Sequence, residues 1–175
     1  MLKSQDCIIL IKLLANPGKQ WSQRELSQVL CISLAEVNAG IRRLKESRLL
    51  NKTGKSQFIP ILQAAEEFLI NDLKYFFPAK LGEYTRGVPT AVGAPLFRGK
   101  IMLGRDPIPI WPDALGEHRG IALTPIHSSV PKALRQSPDQ NFHELLVLID
   151  AIRAGRARER NMAVMFLKER LNEGK

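Results

Sequence analysis

Prolines between residues 78 and 138 place the strongest constraint on how this chain of 175 residues can fold. The stretch holds 9 of the 11 prolines and 7 of the 12 glycines. Proline lacks a backbone donor and clashes with the preceding helical turn, so long helices are excluded here. Short apolar runs, "IPIW" at 108–111 and "GIALTPI" at 120–126, need burial and argue against disorder. We expect extended segments and a few short strands, packed on a helical frame.

The regions on either side have the periodicity of helices. The chain reads as mostly helical up to about Phe77 and again from Asp139. Ser137-Pro138 predicts the start of a helix, Gly155 predicts its end, and a last helix follows over about 156–171. One face of the first of these helices carries Phe142, Leu145, Leu146, Ile149 and Ile152. The predicted fold class is mainly α (α+β).

Two capping boxes lie eleven residues apart near the N-terminus. Ser22 pairs with Glu25, and Ser33 pairs with Glu36, so each serine predicts the start of a helix. Cys31-Ile32 leaves room only for a tight turn between the two helices. Helices joined so closely cross steeply, which predicts a helix-turn-helix.

Apolar residues at helical spacing support a shared core for three helices. Helix one offers Cys7, Leu10, Ile11 and Leu14; helix two offers Leu26, Val29 and Leu30; helix three offers Leu34, Val37, Ile41 and Leu44. The remaining face of helix three would point outward.

This outward face has side chains suited to reading DNA. Asparagine pairs with adenine, arginine pairs with guanine or phosphate, and small residues permit close approach to a base edge. The candidate DNA-binding residues of the helix are Ser33, Ala35, Asn38, Ala39, Arg42, Arg43 and Lys45.

The segment after helix three predicts a small β-hairpin. Leu49-Leu50 and Phe58-Ile59 flank the polar turn "NKTGKSQ" around Gly54. Lys52, Lys55 and Gln57 would lie along a phosphate backbone.

Residues 22–59 resemble the winged helix-turn-helix of bacterial regulators of the MarR, ArsR and related groups. The matching apolar and small positions are Leu26, Ser27, Leu30, Ile32 and Val37. Cys31 stands where many members have glycine, and Gly40 interrupts the helix that would enter the major groove. The resemblance implies a dimeric transcriptional regulator, a repressor, that binds specific double-stranded DNA. Winged helices also serve as protein-contact modules, so that alternative stays open.

A second resemblance extends over the rest of the chain. The runs "EYTRGVPTAVGAP", "IPIWPDALGEHRGIALTPIHSSVP" and "GRARERNMAVMFLKERL" are similar to winged-helix proteins encoded beside AbiE-type nucleotidyltransferase toxins. This implies an antitoxin that neutralises a toxin through its C-terminal part and autoregulates through its winged helix. The predicted division is a DNA-binding domain at 1–60, a connecting helix at 61–77, and an interaction or dimerisation region at 78–175.

The formal net charge of +9 suits an anionic partner. The charge is concentrated at both ends: residues 1–77 and 153–175 each carry a net +4, against +1 for 78–152. Arg153, Arg156, Arg158 and Arg160 form a cluster with three readings: a second nucleic-acid contact, a surface for an acidic partner, or a solvated helix start.

Two apolar features predict packing surfaces. One face of the helix at 61–77 fits a core or dimer contact, and its aromatic end, Tyr75-Phe76-Phe77, would anchor the middle region. Residues 162–167 are apolar without a break and so cover every direction around a helix. We expect that surplus to meet either the middle region or a second copy of the chain.

No sequence pattern supports an enzyme, a cofactor or a metal site. "TGKS" at 53–56 lacks the earlier glycine of a phosphate-binding loop, and His118, His127 and His143 lack metal-ligand spacing. Asp6 and Lys12 interrupt the first apolar stretch, which argues against a signal peptide, and no run is long enough to span a membrane. Cys7 and Cys31 fit reduced thiols in a cytoplasmic protein.

Overall fold

The computed structural model describes residues 1–51 and 57–173. Its architecture is mixed α and β. The helices are α1 (Ser4–Ala15), α2 (Gln23–Leu30), α3 (Leu34–Glu46), α4 (Leu62–Glu67), α5 (Leu73–Phe76), α6 (Val130–Gln136), α7 (Gln140–Ala154) and α8 (Ala157–Asn172). The strands are β1 (Leu81–Pro89), β2 (Pro109–Pro112) and β3 (His118–Leu123). No helix among the described residues is long and apolar enough to cross a membrane.

Helix α1 lies at the centre of the helical half, between α3 and α7. Its residues from Asp6 to Leu13 are all buried, so the helix is covered on every side. Two charged residues, Asp6 and Lys12, share this burial with the apolar ones. Buried charges need partners, and each has one: Asp6 pairs with Arg43, and Lys12 pairs with Asp139 at 2.8 Å.

The inward side of α3 follows the predicted phase with one correction. Val37, Ile41 and Leu44 are buried as expected, but Leu34 is 46% exposed. Leu34 is the first residue of the helix and lies ahead of the point where α3 meets α1. Gly40 fills the inward position instead, because a Cβ there would lie 2.7 Å from Ile9 Cδ1 and 2.8 Å from Asp6 Oδ1.

The segment predicted as one helix at 61–77 consists of α4 and α5 joined by a π-helical turn, Phe68–Asp72. Its predicted core face is confirmed, since Ala65, Phe68, Leu69 and Leu73 are buried. The anchoring role predicted for its aromatic end is wrong for two of the three residues. Tyr75 is 75% exposed and Phe76 is 61% exposed, because the helix ends there without a covering element.

The proline-rich region forms the expected short strands and a helix that we did not predict. β1 pairs antiparallel with both other strands, and β2 pairs parallel with β3, so the small sheet closes on itself. α6 was missed although Pro131 lies in its first turn, a position where proline favours a helix start.

Helix α7 is the apolar centre of the C-terminal half. Every residue from Leu145 to Arg153 is buried, so the single face predicted from the sequence is too narrow. The predicted start is also corrected: Asp139 caps the helix by accepting from Phe142 N at 3.1 Å, while Ser137 ends α6. Gly155 ends α7 as predicted.

A buried network fastens the middle region to α7. The Asp150 carboxylate accepts hydrogen bonds from Thr90 Oγ1 at 2.7 Å and from Trp111 Nε1 at 2.6 Å. Its other oxygen pairs with Arg153 at 2.7 Å. The Arg153 guanidinium also donates to the carbonyl of Phe77 at 2.8 Å, which attaches the end of α5 to the same network.

Helix α8 covers α7, and its apolar surplus is largely met within the chain. Ala163, Leu167 and Leu171 are buried, and Phe166 lies 6.0 Å from the Phe97 ring. Met165 remains 50% exposed. Helix α7, with Phe97 of the middle region, therefore covers much of the run that the sequence offers for a dimer contact.

Gly40→Ala is expected to lower the free energy of unfolding by about 1–3 kcal/mol. Helix propensity alone predicts the opposite sign, a gain of about 1 kcal/mol. The added Cβ would press on the Asp6 carboxylate, which Arg43 and the Lys3 amide hold in place. Urea unfolding followed by circular dichroism measures the difference.

Ala39→Gly on the neighbouring half-buried position is the matched control and should cost about 1 kcal/mol through propensity alone. A Gly40→Ala protein more stable than the native chain would contradict the close approach of α1 and α3.

Candidate nucleic-acid interface

The turn between α2 and α3 is built from local hydrogen bonds. Ser22 Oγ accepts from the Glu25 amide at 3.0 Å and caps α2. Cys31 adopts a left-handed conformation (φ 54°), the backbone geometry that glycine adopts most readily at the end of a helix. Ser27 Oγ donates to the Ile32 carbonyl at 2.6 Å and closes the turn.

Helix α3 begins with the complete capping box that the sequence predicted. Ser33 Oγ accepts from the Glu36 amide at 3.1 Å, and Glu36 Oε2 accepts from the Ser33 amide at 2.8 Å. These bonds lower the pKa of the exposed Glu36 carboxyl, and the bond with the Ser33 backbone has the largest effect. The cap fixes the residue at which the helix starts.

The outward face of α3 contains most of the predicted DNA-contacting residues. Ser33, Ala35, Asn38 and Arg42 are exposed, and Ala39 is half-buried beside them. The Asn38 amide donates to Gln23 Oε1 at 3.2 Å, so it is oriented by α2. Gln23 is a residue that the sequence analysis missed, although its position next to the Ser22 cap was a usable signal.

Arg43 differs from Arg42 in its surroundings. Its guanidinium makes a bidentate ion pair with the fully buried Asp6, with Nε and Nη2 at 2.7 and 2.8 Å from the two carboxylate oxygens. This pairing raises the pKa of Arg43, chiefly through the hydrogen bonds to Asp6. Arg43 therefore fastens α3 to α1 instead of standing free on the outward face that the sequence predicts for it.

The chain on both sides of residues 52–56 is paired as antiparallel backbone. The Asn51 amide donates to the Ile59 carbonyl and the Ile61 amide donates to the Leu49 carbonyl, both at 2.9 Å. Gln57 is exposed on this pair of segments. Lys52 and Lys55 lie outside the described residues.

Lys45 connects the paired segments to α3. Its ammonium lies 5.7 Å from the centre of the Phe58 ring, and its side chain is half-buried. The structure thus brings Lys45 close to the segment that carries Gln57.

The chain after β3 reaches the turn before α3, where Cys31 Sγ lies 3.2 Å from Gln136 Oε1. Burial lowers the pKa of His127, in the loop after β3, and the charge of Glu36 partly offsets that effect. His127 Nδ1 accepts from the Ser129 amide at 3.2 Å, so its ring is held in place. Nothing in the sequence pattern indicated this neighbourhood.

The C-terminal arginine cluster divides into two kinds of residue. Arg153 is buried against Asp150, and Arg160 donates to the carbonyls of Ile152 and Gly155 at the end of α7. Arg156 and Arg158 are exposed. Half of the cluster therefore has a structural role, which removes it from any binding surface.

The described residues contain no cluster of three or more potential metal-ligating side chains. Both cysteines are free thiols. Comparison with family models, curated proteins and solved structures gave no match for this chain.

Arg43→Ala is expected to lower the free energy of unfolding by about 3 kcal/mol, because it leaves the buried Asp6 carboxylate without its cation. Arg42→Ala, on the neighbouring exposed residue, should change stability by less than about 0.5 kcal/mol. Chemical denaturation of both variants gives the comparison.

Asp6→Asn introduced into the Arg43→Ala protein removes the unpaired charge and should restore part of the loss. Equal stability of the Arg42→Ala and Arg43→Ala proteins would contradict the structural role of the ion pair.

Proposed function

We propose that α2, α3 and the paired segments at 49–51 and 57–61 form a winged helix-turn-helix that binds specific double-stranded DNA. The carrying observation is the division of α3 into two sides: Val37, Gly40 and Ile41 pack inward, while Ala35, Asn38 and Arg42 face solvent. Small residues near the helix start and polar residues along its outer side suit insertion in a major groove.

In this proposal the protein is a transcriptional repressor. The bound module would cover DNA to which RNA polymerase needs access. Asn38 and Arg42 contact base edges or phosphates from α3. Gln57 follows the phosphate backbone in this proposal, together with Lys52 and Lys55, which lie outside the described residues.

Two-fold symmetric sites are the usual targets of such modules, so the proposed regulator is a homodimer. Met165 on α8 is an exposed apolar residue from which a second copy could be contacted. Deleting α8 to test for the dimer would also remove Leu167 and Leu171 from the core, so a single substitution is used instead. Met165→Lys with light scattering measures the contact without that damage.

The second candidate function is neutralisation of a toxin to which this chain binds. Exposed aromatic residues favour it. Tyr75 and Phe76 stand in solvent at the end of α5, where large exposed apolar groups are typical of protein contacts. In this alternative the C-terminal part, together with the end of α5 that Arg153 attaches to it, binds a toxin, and the DNA-binding module sets expression. Co-purification with the product of an adjacent reading frame, lost in a Tyr75→Ser, Phe76→Ser protein, tests it.

Arg42→Ala is expected to weaken binding to a duplex selected from random DNA, with the fold unchanged. Loss of a phosphate contact would make the salt dependence shallower by about one unit of slope. Loss of a base contact would cost about 1–3 kcal/mol and relax specificity at one position. Mobility shifts over a series of salt concentrations separate these results.

Lys168→Ala is the matched control, because it also removes one positive charge but from the exposed side of α8. Identical affinities of the Arg42→Ala and Lys168→Ala proteins would remove α3 from the proposed interface.

A further inference from the structure

The two strands β1 and β3 form an antiparallel ribbon with one covered face. Thr85 pairs with Gly120, and Gly87 pairs with His118. A Cβ at Gly87 would lie 1.8 Å from the Trp111 carbonyl oxygen, and one at Gly120 would lie 2.1 Å from that of Ile108. The chain of β2 therefore crosses this face so closely that only glycine fits on it.

The other face of the ribbon carries two arginines directly opposite each other. Side chains alternate along a strand, so Tyr84 and Arg86 lie on the face away from the glycines. Arg86 is the register partner of Arg119, and Tyr84 is the partner of Ile121. Arg86 and Arg119 are both exposed, and Tyr84 is 56% exposed.

Like charges directly opposite each other destabilise an antiparallel pair. Among the residues that the structure describes, neither Arg86 nor Arg119 forms a salt bridge with a carboxylate. Glu83 of β1 and Glu117, just before β3, are exposed and form no salt bridge with either arginine, and Asp113 is held by Arg135 at 2.7 Å. Arg119 instead lies over the Tyr84 ring, 5.5 Å from its centre. Among the described residues, the ribbon thus presents two exposed arginines that no carboxylate neutralises through a salt bridge.

We propose that this face of the β1–β3 ribbon, through Arg86 and Arg119, binds the phosphate backbone of the DNA that α3 contacts. Arginine matches phosphate oxygens with two parallel hydrogen bonds, and cross-strand neighbours are close enough to reach adjacent phosphates. The chain after β3 continues into α6, whose last residue, Gln136, has its Oε1 3.2 Å from Cys31 Sγ in the turn before α3. The ribbon is therefore joined through α6 to the helix-turn-helix, and a duplex that binds both would have a longer contact.

The inference rests on the proposed function for its partner, so the test measures both surfaces separately. The probe is a random-sequence duplex of about 30 base pairs, long enough for both surfaces. Arg86→Glu combined with Arg119→Glu should weaken binding about tenfold or more and make the salt dependence shallower by about two units of slope.

Lys132→Glu combined with Lys168→Glu changes the net charge equally on exposed helical positions and is the matched control. It should change affinity less than the ribbon variant does. Arg86→Lys combined with Arg119→Lys keeps the charge and removes the bidentate geometry, and should give an intermediate loss. Circular dichroism confirms that each variant keeps the native fold.

Equal losses in the ribbon variant and the control would overturn the inference while leaving α3 to be judged by Arg42→Ala. A ribbon effect with no Arg42 effect would support the inference and overturn the role of α3. A native protein that binds no duplex at any salt would overturn both. Poly-glutamate that competes as well as DNA at equal charge would overturn phosphate recognition, because the surface would then accept carboxylates.

Discussion

The attachment of the middle region to α7 depends on the carboxylate of Asp150. Burial raises its pKa, and the charge of Arg153 with the hydrogen bonds from Thr90 and Trp111 opposes that effect. A buried carboxylate without partners is very costly, and here the partners come from the middle region as well as from α7. The native surroundings of α7 are therefore complete only when the proline-rich segments are in place. Arg153 extends the same dependence to the end of α5 through the Phe77 carbonyl.

Helix α1 is also attached to its neighbours by buried charged groups. Asp6 binds Arg43 of α3, and Lys12 binds Asp139 at the start of α7. Burial acts to raise the pKa of Asp139, but hydrogen bonds from Asn16, Lys12 and the Phe142 amide outweigh it and the pKa is lowered. Apolar packing alone would let α1 rotate, since it is covered on every side. The two ion pairs give it one orientation, and they thereby set which side of α3 faces solvent.

The arginines named above divide into those that bind groups of the chain itself and those that form no salt bridge among the described residues. Arg43, Arg153 and Arg160 bind carboxylates or helix-end carbonyls of the chain itself. Arg42, Arg86 and Arg119 make no salt bridge within the part of the chain that the structure describes. The proposed interface and the inferred ribbon contact both depend on the second group. A net charge of +9 by itself cannot make this distinction, because it counts both groups alike.

The sequence by itself determined the features that depend on neighbouring residues. The capping serines set the starts of α2 and α3, and proline density predicted short strands in the middle region. The helical spacing of the sequence also placed four residues on an exposed face, as the structure does: Ser33, Ala35, Asn38 and Arg42.

Tertiary structure alone decided the rest, because the deciding partners are far apart in the chain. Asp6 and Arg43 are 37 residues apart, and Thr90 and Asp150 are 60 apart, so no local pattern reveals either pair. The same holds for the opposed arginines of the ribbon, whose register depends on how β2 crosses the glycines. Hydrogen bonds between near neighbours can be read from spacing, whereas ion pairs and strand register depend on the folded chain.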